Sequence, residues 1–345
     1  MRNTISFAAL AGLAACATPG VDYEARLPAN HLAAAEYRDI EVGGFSGPAG
    51  GWYSDQFEGM LASALLDGRP WFRLVSGPPA EEALSGLYAG RISVDDVDEH
   101  SYEQTERKCV EWDGLFDCET RADVIELCVE TRVDVSVYPE LIDRATGEII
   151  FGGRYSGSAS DTECSDDPHH RSWGGRFSSA PRELIREALL DTLQPIRNDI
   201  APRNARVRAP MVAEAIDPLA RADPRFEQAV EAAKDGDALQ ACNMWGDLAG
   251  EFPNAPAVLH NRGACAEARG DYALAQKLYA TAAELTVNYT QGDLDKSVRA
   301  INGSLARISE RRFGESWIDQ ADGYIPLPAI DDEDVTLDEA ADAGS

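Results

Sequence analysis

The stretch DVIELCVETRVDVSVYPEL (residues 123–141) constrains the fold of this chain more than any other. Ile125, Leu127, Val129, Val133, Val135 and Val137 recur at a period of two, with Glu126, Glu130, Arg132 and Asp134 between them. Successive side chains of a strand point to opposite faces, so the pattern predicts one long strand with a buried face and a wet one. That is the signature of an antiparallel sheet open to solvent on one side.

The surrounding segments predict the rest of an α+β domain over residues 37–205. YRDIEVGGF reads as a strand ending in glycines. YSDQFEGMLASALLDG places Phe57, Leu61, Ala64 and Leu65 at helical spacing, with Gly68 as a stop. WFRLVSG and GLYAGRISVDDV read as further strands, and Thr146-Gly147 as a turn into another. A closing helix is predicted with Ser179 as its N-cap and Pro181 near its start, turning Leu184, Ile185, Ala188, Leu189 and Leu193 inward. The domain is therefore expected to be a mostly antiparallel sheet with packed helices. Its glycine-rich GGFSGPAGG segment has the exposed amides of an anion site but no basic residue nearby, and reads as a flexible loop.

This order of elements, with the phrases LIDRATGEII, GRYSG and IRNDIAP, resembles the periplasmic domain of the curli-secretion lipoprotein (CsgG) family. It is also similar to the TolB N-terminal domain and to the cell-wall-synthase activator LpoB. The resemblance implies a non-enzymatic envelope protein, and no catalytic residue carries over from it. Curli-secretion subunits also contribute membrane-spanning hairpins to a shared barrel. The corresponding segment here is HSYEQTERKCVEWDGLFDCET, hinged near Asp113-Gly114. One face offers Tyr102, Gln104, Glu106, Lys108 and Val110, and the other Ser101, Glu103, Thr105, Arg107 and Cys109. A lipid-facing strand needs one alternating apolar face, so the hairpin reads as a water-exposed β-ribbon.

From about Asp223 to Arg312 the sequence is alanine-rich and helical, and it repeats. KDGDALQACNMWGDLAGEFP aligns with ARGDYALAQKLYATAAELTV at a spacing of 34 residues. Gly236 matches Gly270, Asp237 matches Asp271, Ala241 matches Ala275, Trp245 matches Tyr279, and Leu248 matches Ala282. The period and the small and large positions resemble the tetratricopeptide (TPR) repeat. That implies an all-α array of helical hairpins over residues 223–312, closed by a helix bearing Leu294, Val298, Ile301, Leu305 and Ile308. It also implies a protein-binding groove, for which Glu227, Asn261 and Arg262 are the candidate residues.

Six cysteines besides Cys16 permit fifteen pairings. Four lie in the first region and two in the second, as expected if bridges stay within domains. A Cys109–Cys118 staple would close the mouth of the ribbon. In a TPR-like array Cys242 and Cys265 fall on neighbouring helices and are expected to pair. Cys128–Cys164 is the pairing that remains.

The ends and the joint read differently. MRNTISFAALAGLAACATPG has one basic residue, an apolar run from Ile5 to Ala15 and then a cysteine. That run is too short to span a bilayer and has the layout of a signal peptide. Leu13-Ala14-Ala15-Cys16 resembles a bacterial lipobox, which implies removal of residues 1–15 and lipidation of Cys16. Ala17 and Thr18 follow rather than an aspartate that would signal inner-membrane retention, so the anchor is expected in the outer membrane, periplasmic side. Residues 16–36 then read as a tether. APRNARVRAPMVAEAIDPLARADP reads as a linker (206–222) or a strap across the first domain. Residues 313–345 contain no Lys or Arg and read as a disordered acidic tail.

A net charge of −29 repels nucleic acid and anionic lipid, because both are bound through Lys and Arg, and nucleic acid is excluded as a partner. No nucleophile elbow, P-loop, zincin or dinucleotide motif is present. Asp161, Glu163, Asp166, Asp167, His169 and His170 form one dense polar cluster. Consecutive histidines rarely point at one ion, so the cluster reads as a hydrophilic loop; neither a metal nor a cofactor is expected. Together these features predict a non-enzymatic outer-membrane lipoprotein that binds envelope proteins through its α+β domain and its TPR groove. The alternative is a subunit of a curli-type secretion channel.

Overall fold

A computed structural model describes residues 19–77, 84–113, 117–165, 181–287 and 295–322. The chain divides into a sheet unit, Arg26–Ala205, and a helical unit built from the residues before Arg26 together with those from Arg206 onward.

The first strand in the chain is β1 (Gly20–Leu27); in the sheet unit, α1 (Leu32–Ala35) then leads into β2 (Asp39–Ser46) and α2 (Gly50–Ala62). A two-residue hairpin, β3 (Leu65–Leu66) with β4 (Arg69–Pro70), precedes β5 (Arg73–Leu74). Two very long strands follow, β6 (Ser85–Asp113) and β7 (Asp117–Asp143), then β8 (Ile149–Gly152), β9 (Tyr155–Ser165) and α3 (Pro181–Ile200). The sheet order is β5-β2-β6-β7-β8, with β9 also on β7. The pairs β6–β7, β7–β8 and β7–β9 are antiparallel. The β2 strand runs parallel to both β5 and β6, so the sheet is mixed, with its antiparallel part as expected.

The predicted helices bury much of the expected stripes, Phe57 and Leu61 of α2 and Leu184, Ala188 and Leu189 of α3, and Tyr53 joins the first; but α2 stops at Ala62, so Ala64 lies beyond it and Leu65 falls on β3, where it is exposed. Both helices pack on the sheet over Ile40, Tyr88, Val133, Val135, Val137 and Leu141, all essentially inaccessible. Tyr53 and Thr192 share a hydroxyl–hydroxyl hydrogen bond of 2.7 Å between the two helices. Ser179 lies outside the described residues. GGFSGPAGG is no loose loop: Gly43–Ser46 belongs to β2, Gly50 opens α2, and the Phe45 amide donates to Ser54 Oγ at 2.9 Å.

The alternation of β7 sets burial over only half its length. Val133, Val135 and Val137 are buried as predicted, but Ile125 is 54% exposed, and Glu126 and Cys128 are the closed positions there. In this outer part the strands cover one another instead of being covered by helices. Cys128 is bonded to Cys164 of β9, and Glu126 is bridged by Lys108 and by Gln104 of β6.

Three further expectations are corrected in the helical unit. Over residues 19–36 the expected tether gives way to regular structure: β1 occupies Gly20–Leu27 and pairs with β10 (Arg203–Pro210), and α1 follows. Val21, Tyr23 and Ala25 are buried while Asp22 and Glu24 are exposed, the alternation of a half-covered strand. Residues 206–222 are not a free linker. They continue β10, bury Met211, Val212, Ala215 and Ile216, and form α4 (Pro218–Ala222), all within the helical unit. The helices α5 (Pro224–Lys234), α6 (Ala238–Glu251), α7 (Pro256–Ala268), α8 (Tyr272–Thr286) and α9 (Asp295–Asp322) follow, each packed on the next. The tail does not begin at residue 313: α9 continues to Asp322, and Ile318 is fully buried.

Candidate functional site

The helical unit carries its 34-residue repetition into geometry. Asp237 and Asp271 cap α6 and α8 by accepting from the amides of Gln240 and Leu274, each at 3.0 Å. An aspartate cap satisfies donors that the first helical turn leaves free. Just before them Gly236 and Gly270 adopt left-handed backbone, φ +83° and +79°, which glycine does at no steric cost. Ala241 and Ala275, Trp245 and Tyr279, and Leu248 and Ala282 are buried in matching pairs. A β-carbon on Gly263 would lie 2.8 Å from the Tyr279 ring, so glycine lets α7 and α8 close.

The three predicted groove residues do not form one surface. Glu227 is exposed on α5 and lines an open, acidic depression with Gln228, Glu231, Asp235, Asp237 and Gln240. Arg262 is exposed on α7. Asn261 is completely buried, which corrects its assignment to the groove. Its Oδ1 accepts from the Val212 amide at 2.7 Å and its Nδ2 donates to the Val212 carbonyl at 2.9 Å. The pairing fastens the segment after β10 onto α7, so substitution there removes a structural clamp.

Beside Asn261 lies a polar cluster whose carboxylate is buried. The Glu267 carboxylate accepts from the phenols of Tyr23 and Tyr279, each at 2.7 Å, and from Arg307 at 2.7 and 3.2 Å. Burial raises the Glu267 carboxyl, and Arg307 with the two phenols more than reverses this, leaving it below its ordinary range. His260 is held between Asn261 Oδ1 at 3.1 Å and Ser304 Oγ at 2.9 Å. Burial pushes its pKa down to about 4, so it is neutral at physiological pH. The residue types are those of acid–base catalysis, but Glu267 and His260 are fully buried, and these bonds hold β1 and α7–α9 together.

All three cysteine pairings formed as anticipated: Cys109–Cys118, Cys128–Cys164 and Cys242–Cys265. The last joins α6 to α7. Of the polar cluster at 161–170, Asp161 and Glu163 lie on β9, while Asp166, Asp167, His169 and His170 lie outside the described residues, as does Cys16. Among the described residues no group of His, Cys, Asp and Glu is arranged to hold a metal, and no helix is long and apolar enough to cross a membrane.

No known protein family matches the chain, and no curated protein does. Eleven chains of solved structure match it. One, described as a "putative lipoprotein from Caulobacter crescentus CB15", is 18% identical, covers 49% of this chain and 90% of its own, and superposes with a TM-score of 0.24. A likeness of that strength carries no argument about this chain.

Proposed function

We propose that this chain is a non-enzymatic bacterial lipoprotein, anchored through Cys16 to the periplasmic face of the outer membrane, that works as a protein-binding adaptor of the envelope. The observation that carries the reading is the repetition of cap, left-handed glycine and buried aromatic at 34 residues. It supports a TPR-like array of two hairpins capped by α9, and such arrays present concave surfaces to other proteins. The exposed candidates are Glu227 and Arg262; Asn261 serves the fold. The resemblance of the sheet unit to curli-secretion, TolB N-terminal and LpoB-like domains supports an envelope setting, and the lipobox supports the anchor.

Two experiments test this. Cys16→Ser should move the protein out of the outer-membrane fraction; unchanged fractionation overturns the anchor. Crosslinking in intact envelopes should capture a partner with the wild type and lose it with Glu227→Ala and Arg262→Ala combined, at an unchanged circular dichroism spectrum. Equal capture overturns the array as the binding surface.

The alternative, a secretion-channel subunit, draws on the length of β6 and β7, 29 and 27 residues. The charges on both faces of their outer half oppose contact with lipid. Heat-resistant rings that conduct ions in planar bilayers would establish the channel and displace the adaptor.

A further inference from the structure

The proposed lipid anchor and the fold are joined by very little chain. Cys16 lies outside the described residues, and three peptide steps lead from it to Pro19. A step covers at most about 3.6 Å, so Pro19 stays within about 11 Å of the anchored residue. No slack lies beyond Pro19 either. Its carbonyl accepts from the Met211 amide at 2.8 Å, and β1 begins at the next residue. Val21, Tyr23 and Ala25 of β1 are buried, and the Tyr23 phenol donates to Glu267 at 2.7 Å. Peeling β1 away to lengthen the link would expose three apolar side chains and take a donor from a buried carboxylate, both unfavourable. The start of β1, and the helical unit with it, is therefore held beside the anchor.

The pair of strands β1 and β10 turns one face outward there. Asp22 and Glu24 of β1 and Arg206 and Arg208 of β10 are exposed. Residues two apart share a face of a strand, and Asp22 bridges both arginines, at 3.5 and 3.4 Å, so the four lie on one face. All belong to the helical unit. Two carboxylates and two guanidiniums balance, in a chain whose net charge is −29. A strongly acidic face is driven off phosphate, whereas a balanced one is not. A zwitterionic headgroup layer carries the same two charges, phosphate and ammonium, and can meet this face with none left unmatched. We infer that the face formed by Asp22, Glu24, Arg206 and Arg208 lies on the zwitterionic phospholipid surface in which Cys16 is anchored. This placement depends on the anchor proposed above and goes beyond it: the lipid fixes which side of the helical unit meets the membrane, as well as retaining the protein there.

The test uses the full-length lipidated protein in phosphatidylcholine nanodiscs, with hydroxyl-radical labelling read by mass spectrometry. Labelling of residues 20–25 and 206–210 should fall at least threefold below that of the Cys16→Ser protein in solution. A sixteen-residue Gly/Ser insert between Thr18 and Pro19 reaches about 22 Å and leaves β1 in place. It should restore the labelling while the protein still co-elutes with lipid; protection that survives the insert overturns the short link as its cause. Arg206→Glu changes an exposed side chain and leaves Asp22 its Arg208 partner. It should remove at least half of the protection; unchanged protection would mean that the face is near lipid without lying on it. Labelling in nanodiscs equal to that in solution, with the protein still co-eluting, overturns the docked face and leaves the anchor standing. Protein that elutes apart from the nanodiscs refutes the anchor itself, and the docked face falls with it. Protection that grows with the concentration of the Cys16→Ser protein in solution marks a contact between copies and overturns lipid as the occupant.

Discussion

In the helical unit, Glu267 and His260 lie under cover and Arg307 is half-buried over them, with both carboxylate oxygens and both ring nitrogens engaged. In the outer ribbon, Asp98, Glu99 and Glu106 stand in water beside Val97, Tyr102 and the half-exposed Ile125. Both places look like sites in a list of residues. The difference is what covers them. A buried and satisfied polar cluster specifies one packing of its elements, whereas exposed charge specifies none. The titratable residues gathered around Glu267 therefore belong to the architecture of the helical unit.

The largest effect should come from Glu267→Ala. It leaves Arg307 and two buried phenols without their acceptor, and breaking a buried pair from one side costs about 3–5 kcal/mol. Urea unfolding should show a loss on the order of 4 kcal/mol; a loss below about 1 kcal/mol would mean the cluster is open to water. Acid comes next. The His260 pKa is about 4 folded against 6.5 ordinarily, so between these values the unfolded chain binds more protons. Stability should then fall as pH drops from about 6.5 toward 4, by about 3 kcal/mol in all, with no change from this group above that window. His260→Gln should flatten the slope, and an unchanged slope breaks the assignment.

In the ribbon the effects are smaller and local. Cys128→Ser with Cys164→Ser removes a closure typically worth about 2–4 kcal/mol. Hydrogen exchange should quicken in 96–106 and 124–130 while Val133–Leu141 stays protected; uniform quickening would make the ribbon part of one cooperative core. Smallest of all, Ile125→Ala should change the melting free energy by less than ~0.5 kcal/mol. A cost of about 2 kcal/mol, as for a core side chain, would show that the outer ribbon is covered in solution.

What was legible in the sequence was local or periodic. The alternation in β7 marked the strand and its buried valines, but it carries no information on how far α2 and α3 reach, so Ile125 was misplaced. The repeat put Cys242 beside Cys265 and equated Asp237 with Asp271. Asn261 was misread because the segment that buries it looked like a linker; its partner, Val212, is 49 residues away. Tyr23 and Glu267 are 244 residues apart, and no local pattern connects them. One weak sign was present: His260 and Glu267 are seven residues apart on α7, two turns on one face, where polar residues would not be expected to stay buried unpartnered.

The pairing of β1 with β10 has a consequence for the order in which the molecule can be assembled. A chain made from its N-terminus presents β1 before any other strand, yet its partner is the last of the ten described. All but the ends of the sheet unit, Arg26–Ala205, lies between them in the chain. It contains nearly all of its own pairings and can fold before the rest of the chain has followed it to the same side. The helical unit cannot: Tyr23 must wait for Glu267, and closing so long a loop is slow before the contact rewards it. Until then Val21, Tyr23 and Ala25 remain uncovered and open to whatever binds extended, unfinished chains.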